Sequence, residues 1–336
     1  VLFPYLNGDD LNSDPEQKPS RWVINFFDWP LDRDAEGSWA TATEQQKNQY
    51  LKIGHAPADY PGRVVTDFPD LYAWIDEKVR PERQRLNARG EYALRRPLPI
   101  RWWQYADKRP ALYHAIGRGA PFAKHPAGWN SDDARTVDKV ITVSLVQTYL
   151  KFEYVSNQSV FAHKLAVILP DSVKFAILSS TIFQEWARKT SSTMGYGINF
   201  SPSDSYETFP FPPETQKTDR EKELSTGGHL LHIIRQSIMR EKNYGLTQLY
   251  NDFHNPQNEA GGILSMRDMQ KSLDYAMLAV YGWQGIILEH DFYPLPYLSA
   301  NDNIRYTISE PARIEILRRL AQLNRQRWQE EQEAEK

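Results

Sequence analysis

The sequence predicts an α+β fold, with a mixed-sheet domain over residues 1–215 followed by a helical domain over residues 216–336. Three observations predict it. β-Branched and aromatic runs crowd residues 137–169, helical spacing dominates beyond Pro213, and a stretch rich in Gly, Ser, Asn and Pro (Ser191–Pro213, ending in FPFPP) lies between them. A chain of 336 residues is long enough for about two domains, each with its own core.

In chain order, Trp22–Phe27 (WVINFF) is short, β-rich and bounded by Pro19 and Pro30, which predicts one strand. Leu71–Arg89 has helical character. The runs KVITVSLV, TYLKFEYV and VFAHKLAVIL, separated by polar breaks such as Ser156, Asn157 and Gln158, predict a sheet of several strands. Asp171 or Ser172 then caps a helix on which Phe175, Leu178, Ile182 and Trp186 recur every three or four residues, so that it packs on the sheet. Helices follow at Arg220–Lys242, Met266–Tyr281 (ending at Gly282) and Pro311–Glu333 (opening behind Ser309). On the second, Met266, Met269, Leu273, Ala276 and Val280 form one apolar stripe, the pattern of a core face.

Composition excludes several classes. Zero cysteines remove disulfides, thiolate metal sites and a Cys nucleophile, and point to a reducing cytoplasm. A net charge of −3 with 25% charged and 40% hydrophobic residues excludes disorder, and no apolar run nears the roughly 18 residues of a membrane span. The opening VLFPYLNGDD has neither an initiator Met nor signal-peptide regions, the start expected of a piece of a longer chain.

The modest net charge hides a local excess. Residues 78–118 hold 11 basic against 3 acidic side chains, interleaved with Tyr92, Trp102, Trp103 and Tyr105. Such a stripe suits a phosphate-tracking surface, with a solvated helical face as the plainer alternative. Arg83, Arg85, Arg95, Arg96 and Arg101 are its candidate phosphate contacts.

Catalytic signatures are missing from the sequence. The GxG at Gly117-Arg118-Gly119 does not follow a strand, and no GxGxxG, Walker, HExxH, GxSxG or EF-hand pattern occurs. His229 and His232 sit three apart on a predicted helix without a third ligand of matching spacing and are expected to be surface histidines. Asn255-Pro256-Gln257-Asn258 starts like the Asn-Pro-Pro-aromatic loop of amino methyltransferases but lacks its second Pro and its stacking aromatic.

An ordered series of strings resembles one family, the MmeI-like combined restriction–modification adenine methyltransferases, with kin in BREX-type and DISARM-type phage-defence methylases. The strings are PYLNGDDLN, RWVINFFDW, VRPER, RWWQY, AILSSTIFQEW, YETFPFP, GLTQLYN, LDYAMLAVYGW and IRYTISEPARIEILRRLAQLN, and together they span nearly the whole chain. One departure stands out: the family carries an Arg-Tyr-Ser run shortly before FP(W/F)P, where this chain has Tyr196-Gly197-Ile198-Asn199-Phe200-Ser201.

The resemblance implies a DNA target-recognition domain at 1–215 and a helical spacer domain at 216–336, non-catalytic and without a cofactor of their own. S-adenosylmethionine would bind an upstream methyltransferase domain of the parent chain, which itself is implied to be a site-specific adenine methyltransferase with or without a nuclease. The implied partner is double-stranded DNA. The alternative function is a protein-interaction module that recruits defence-system subunits. Two polar segments that leave a sheet or a helix, Glu153–Ser159 and Gln184–Ser201, are the candidate base readers. Asn157 and Gln158 suit adenine, Arg188 and Lys189 suit guanine or a phosphate, and Gln184, Tyr196 and Asn199 complete the set.

Overall fold

A computed structural model of the chain describes residues 1–116, 137–194, 197–212, 219–298 and 302–334. The fold is α+β, with its C-terminal part largely helical. By contacts the chain forms two compact units, residues 1–4 with 22–138 and residues 5–21 with 139–336.

The first unit is built on tryptophans. Phe26, Val65, Ile75, Trp102 and Trp103 are buried together, with Trp29, Phe68, Leu71 and Tyr72 packed against them. Trp103 Nε1–H and the Gln104 amide both donate to Trp29 O, at 2.9 and 3.0 Å, which fixes the ring pair over the preceding loop. Two short strands, Asp32–Ala35 and His55–Pro57, pair in parallel. Between them runs the helix Glu44–Ile53, opened by a capping box of Thr43 and Gln46 and closed by Gly54 at φ 88°. Only glycine suits that residue, since a Cβ there would also lie 2.7 Å from the Trp103 ring.

The expected strand at 22–27 stops at Ile24, because Asn25 accepts the Phe27 N–H and Phe27 takes a positive φ of 54°. The helical character expected over 71–89 is realised as two helices, Pro69–Lys78 and Arg80–Arg83. Beyond them the chain turns back on itself, with Leu86 bridging Tyr92 and Gly90 at φ 78° in the turn. No helix continues through that reversal.

In the second unit the runs of 137–169 do form strands, distributed over separate sheets. Lys139–Ser144 is central to an antiparallel sheet, between Glu153–Ser156 and Leu165–Ile168. Its Val140 to Ser144 are all buried, as in a strand covered on both faces. Val146–Gln147 pairs instead with Gly197–Asn199, and Val160–Phe161 pairs in parallel with Tyr5–Leu6.

The helix expected from Asp171 onward is two helices. Asp171 caps Ser172–Ser179 through the Lys174 N–H. Ser180 then ends the first helix by donating to Ile177 O at 2.6 Å and starts Thr181–Thr190 by accepting from Phe183 N–H at 3.2 Å. Helices Asp219–Lys242, Leu246–His254, Gly261–Tyr281 and Glu310–Ala334 follow, with a hairpin of Asp291–Pro294 and Ile304–Thr307.

One core joins these pieces, running from Ile141 through Phe183, Leu231 and Leu273 to Leu320. The Met266 stripe lies in it, as its spacing predicts. The contact division therefore differs from the expected boundary at 215/216, because the sheet and the later helices bury their apolar faces on each other.

Candidate nucleic-acid interface

The basic stripe of the first unit separates into two kinds of arginine. Arg83 donates to the Trp102 and Gln104 carbonyls, the former at 2.8 Å, and burial lowers its pKa. Arg101 donates to Leu51 O at 3.2 Å and to Lys52 O, capping the end of the Glu44–Ile53 helix. Both guanidiniums are structural ties, which corrects their assignment as phosphate contacts. Arg85, Arg95 and Arg96 are exposed on the reversal that carries Gly90, beside the exposed Tyr92 and Leu94. These three are the expected phosphate contacts whose side chains are left in solvent.

In the second unit the segment 153–159 also divides. Glu153 is fully buried, with its carboxylate 3.0 Å from Arg235 Nη1 and 2.7 Å from His232 Nδ1. His232 is accordingly a half-buried partner of a buried carboxylate, not the surface histidine expected. Asn157 is 3% exposed, so its side chain is inaccessible to a base edge and its assignment is corrected. Gln158 is exposed at the turn. Nearby lies an open groove of about 650 Å³ with Lys18, Lys139, His229 and Arg240 on its lining.

Hydroxyl contacts tie together the described residues of the segment 184–201. Ser192–Met194 and Gly197–Asn199 form an antiparallel hairpin, continued by Val146–Gln147. Ser191 Oγ holds its base, accepting the Ser201 N–H at 3.2 Å and pairing with Ser205 Oγ at 2.7 Å. Trp186 Nε1–H and Thr190 Oγ1–H close the same ring onto Ser205.

Gln184 is not free to meet a base. Its amide donates to Ser179 O at 3.1 Å and its carbonyl accepts from Lys151 Nζ at 2.7 Å, a correction made by its position on the inner face of the helix. One helical turn later the side chains emerge. Arg188 lies over the Tyr297 ring at 5.1 Å and Lys189 is exposed. Asn199, on the hairpin, donates to Ser192 Oγ at 3.0 Å, which leaves its carbonyl oxygen as an acceptor. Tyr196 lies outside the described residues.

Arg188 shares a wall with residues no sequence pattern singled out. Arg313 also faces Tyr297, at 5.5 Å, and stands 3.9 Å from the buried Glu185, whose pKa burial raises against the pull of Arg313 and Arg188. These groups line a cavity of about 530 Å³ next to Thr193 of the hairpin. Among the described residues no cluster of three metal-ligating side chains occurs, and no helix is long and apolar enough to cross a membrane.

Comparison with known proteins bears on residues 118–213 and on the fold. Residues 118–213 match the family model described as the MmeI target recognition domain. No curated protein matches the sequence. Among solved structures, the fold is similar to that of a type IIL restriction-modification enzyme, MmeI, solved in complex with DNA. The identity is 16% and the TM-score 0.51, with 97% of this chain and 31% of that chain covered, so this chain spans about a third of that enzyme's length. The resemblance carried by the ordered strings therefore stands on two findings, a match to the MmeI target recognition domain over residues 118–213 and a fold similar to part of an MmeI enzyme.

Proposed function

We propose that this chain is the sequence-reading part of a restriction–modification DNA methyltransferase. In this reading it binds duplex DNA and holds the site for an upstream, S-adenosylmethionine-dependent adenine methyltransferase domain of a phage-defence system. The observation that carries the reading is the arrangement of residues 181–194 and 197–201. A helix ends in Arg188 and Lys189 beside a hairpin bearing Asn199, within the segment that matches a target recognition domain.

Polar side chains on a hairpin suit the major groove, where each base pair presents a distinct set of donors and acceptors. Lys189 would donate to guanine or a phosphate, and Gln158 would bond adenine. Asn199 keeps an acceptor for an exocyclic amine. Arg85, Arg95 and Arg96 would supply sequence-independent affinity through counterion release.

The test is a mobility shift on duplex DNA at two salt concentrations. Binding that weakens steeply with salt, with neutralisation of Arg85, Arg95 or Arg96 each reducing the salt slope by about 1, supports the reading. Binding that is absent, or whose slope none of the three substitutions changes, would favour a module that recruits protein subunits instead.

A further inference from the structure

A second, smaller cavity lies deeper in the same unit, between the 149–151 segment, the 181–190 helix, His254 and the 291–307 hairpin. Its volume is about 50 Å³. At roughly 10–15 Å³ for each water position that is room for about three to five waters, or for one tetrahedral oxyanion.

Several donors stand in its walls among apolar side chains. Lys151 is 6% exposed, and its ammonium has one hydrogen bond among the described residues, to the Gln184 carbonyl at 2.7 Å. It also lies 4.0 Å from the centre of the Tyr250 ring. His254 accepts the Tyr306 N–H at Nδ1, at 3.1 Å, so the neutral ring carries its proton on Nε2. Arg188 and Arg305 complete the lining from two further elements.

Of the carboxylates nearby, two are committed elsewhere and a third, Glu185, stands in the cavity wall. Asp302 takes both prongs of Arg305 at 2.8 and 3.1 Å. Asp274 is bonded to His290 and to the Thr181 N–H. Glu185 lines the cavity with Arg313 behind it, 3.9 Å away.

Burial pushes the Lys151 ammonium well below its usual range, with Arg235 and Arg188 pushing the same way and Asp274 and Glu153 opposing them. Burial likewise holds His254 well below the usual histidine range, with Lys151, Arg305, Arg267 and Arg188 adding to it. With Lys151, Arg188 and Arg305 in the lining against the one carboxylate of Glu185, the cavity is electropositive as well as supplied with donors. A buried cation with unfilled donor capacity is costly unless an anion accompanies it.

We propose that this cavity is an oxyanion site that takes one phosphate-class anion between Lys151, Arg188 and His254. The same chemistry is offered by a backbone phosphate of DNA and by a free phosphate, and the site stands whether or not the chain reads DNA sequence. Arg188 reaches it from the helix end next to the hairpin, so an occupied site would fix the guanidinium that borders the candidate interface.

The experiment is a titration of the whole chain with inorganic phosphate in phosphate-free buffer, read by calorimetry and by thermal unfolding. Saturable one-site binding that raises the Tm is expected, weakened at least tenfold in Lys151→Met and in Arg188→Gln. Lys151→Met alone should keep or raise the Tm without phosphate, since it removes a buried charge. Arg188 is half-exposed and Arg188→Gln tests the site if the other variant does not fold.

No saturable binding by the wild type would overturn the proposal, as would unchanged affinity in a folded Arg188→Gln protein. Adding duplex DNA separates the sources. Displacement of bound phosphate identifies a DNA backbone phosphate as the occupant, and simultaneous binding identifies a free anion.

Discussion

Asp59 shows how single carboxylates organise the first unit. It accepts from Ser38 Oγ–H at 2.6 Å and from the backbone N–H groups of Trp39 and Ala40 at 2.6 and 3.0 Å. These bonds favour its charged form and hold its pKa down to about 2. A depressed folded pKa contributes stability that is present above the unfolded value of about 3.9 and lost as pH falls through about 2. The Tm of wild type should therefore fall between pH 5 and 2.5 more than that of Asp59→Asn, and equal falls would discount these bonds.

At the same scale, Arg235 and Glu153 form a buried pair that the sequence does not announce, because Glu153 sits in a run that alternates like any strand. Arg235→Met leaves that carboxylate without its guanidinium and should cost about 3–5 kcal/mol in urea unfolding. A cost below about 1 kcal/mol would mean that His232 alone satisfies it. Counting charges likewise marks a basic stripe, but it cannot tell an arginine bonded to carbonyls, as Arg83 and Arg101 are, from one left in solvent.

Among the elements, the long helix Asp219–Lys242 passes its neighbours at Gly227 and Gly228. A Cβ on Gly228 would lie 2.6 Å from Ala176 Cβ and 2.8 Å from its Cα, whereas one on Gly227 would meet the flexible end of Leu273 at 3.4 Å. Gly228→Ala should therefore destabilise by about 1–3 kcal/mol through overpacking. Gly227→Ala should be neutral or gain up to about 1 kcal/mol of helix propensity. Similar effects at both positions, measured by denaturant midpoints, would argue against that close crossing.

The long helices were legible because their apolar spacing persists over many turns, and the Met266 stripe is buried as that spacing requires. The pairing of short strands was not legible. Val146–Gln147 and Val160–Phe161 are two residues each, and their partners at 197–199 and 5–6 lie far along the chain. Nor does Ser180 look like a break until its hydroxyl is seen bonding both helices it separates.

For the whole molecule, the α+β class was legible from where the β-rich runs and helical spacings fall, whereas the division into units was not. Contacts group residues 139–336 because sheet and helices share the core from Ile141 to Leu320. A composition shift at 191–213 marks only the hairpin and turns between them. The 181–201 unit was legible as a candidate site from its polar residues, but its hydroxyl ring around Ser205 and the Tyr297 wall depend on contacts between distant segments. Phosphate contacts and base contacts should separate when the whole chain is assayed: loss of Arg85, Arg95 or Arg96 should weaken all sequences about equally.

The most direct test is to select the whole chain's preferred targets from a pool of randomised duplex DNA and sequence what it retains, for wild type and for Lys189→Ala, Asn199→Ala and Gln158→Ala. The account predicts one enriched motif for wild type, and for at least one variant a discrimination lower by about 1–3 kcal/mol at a single base position with the rest of the motif kept. A pool that remains random after selection by wild type, or a motif that no variant changes at any position, would contradict it.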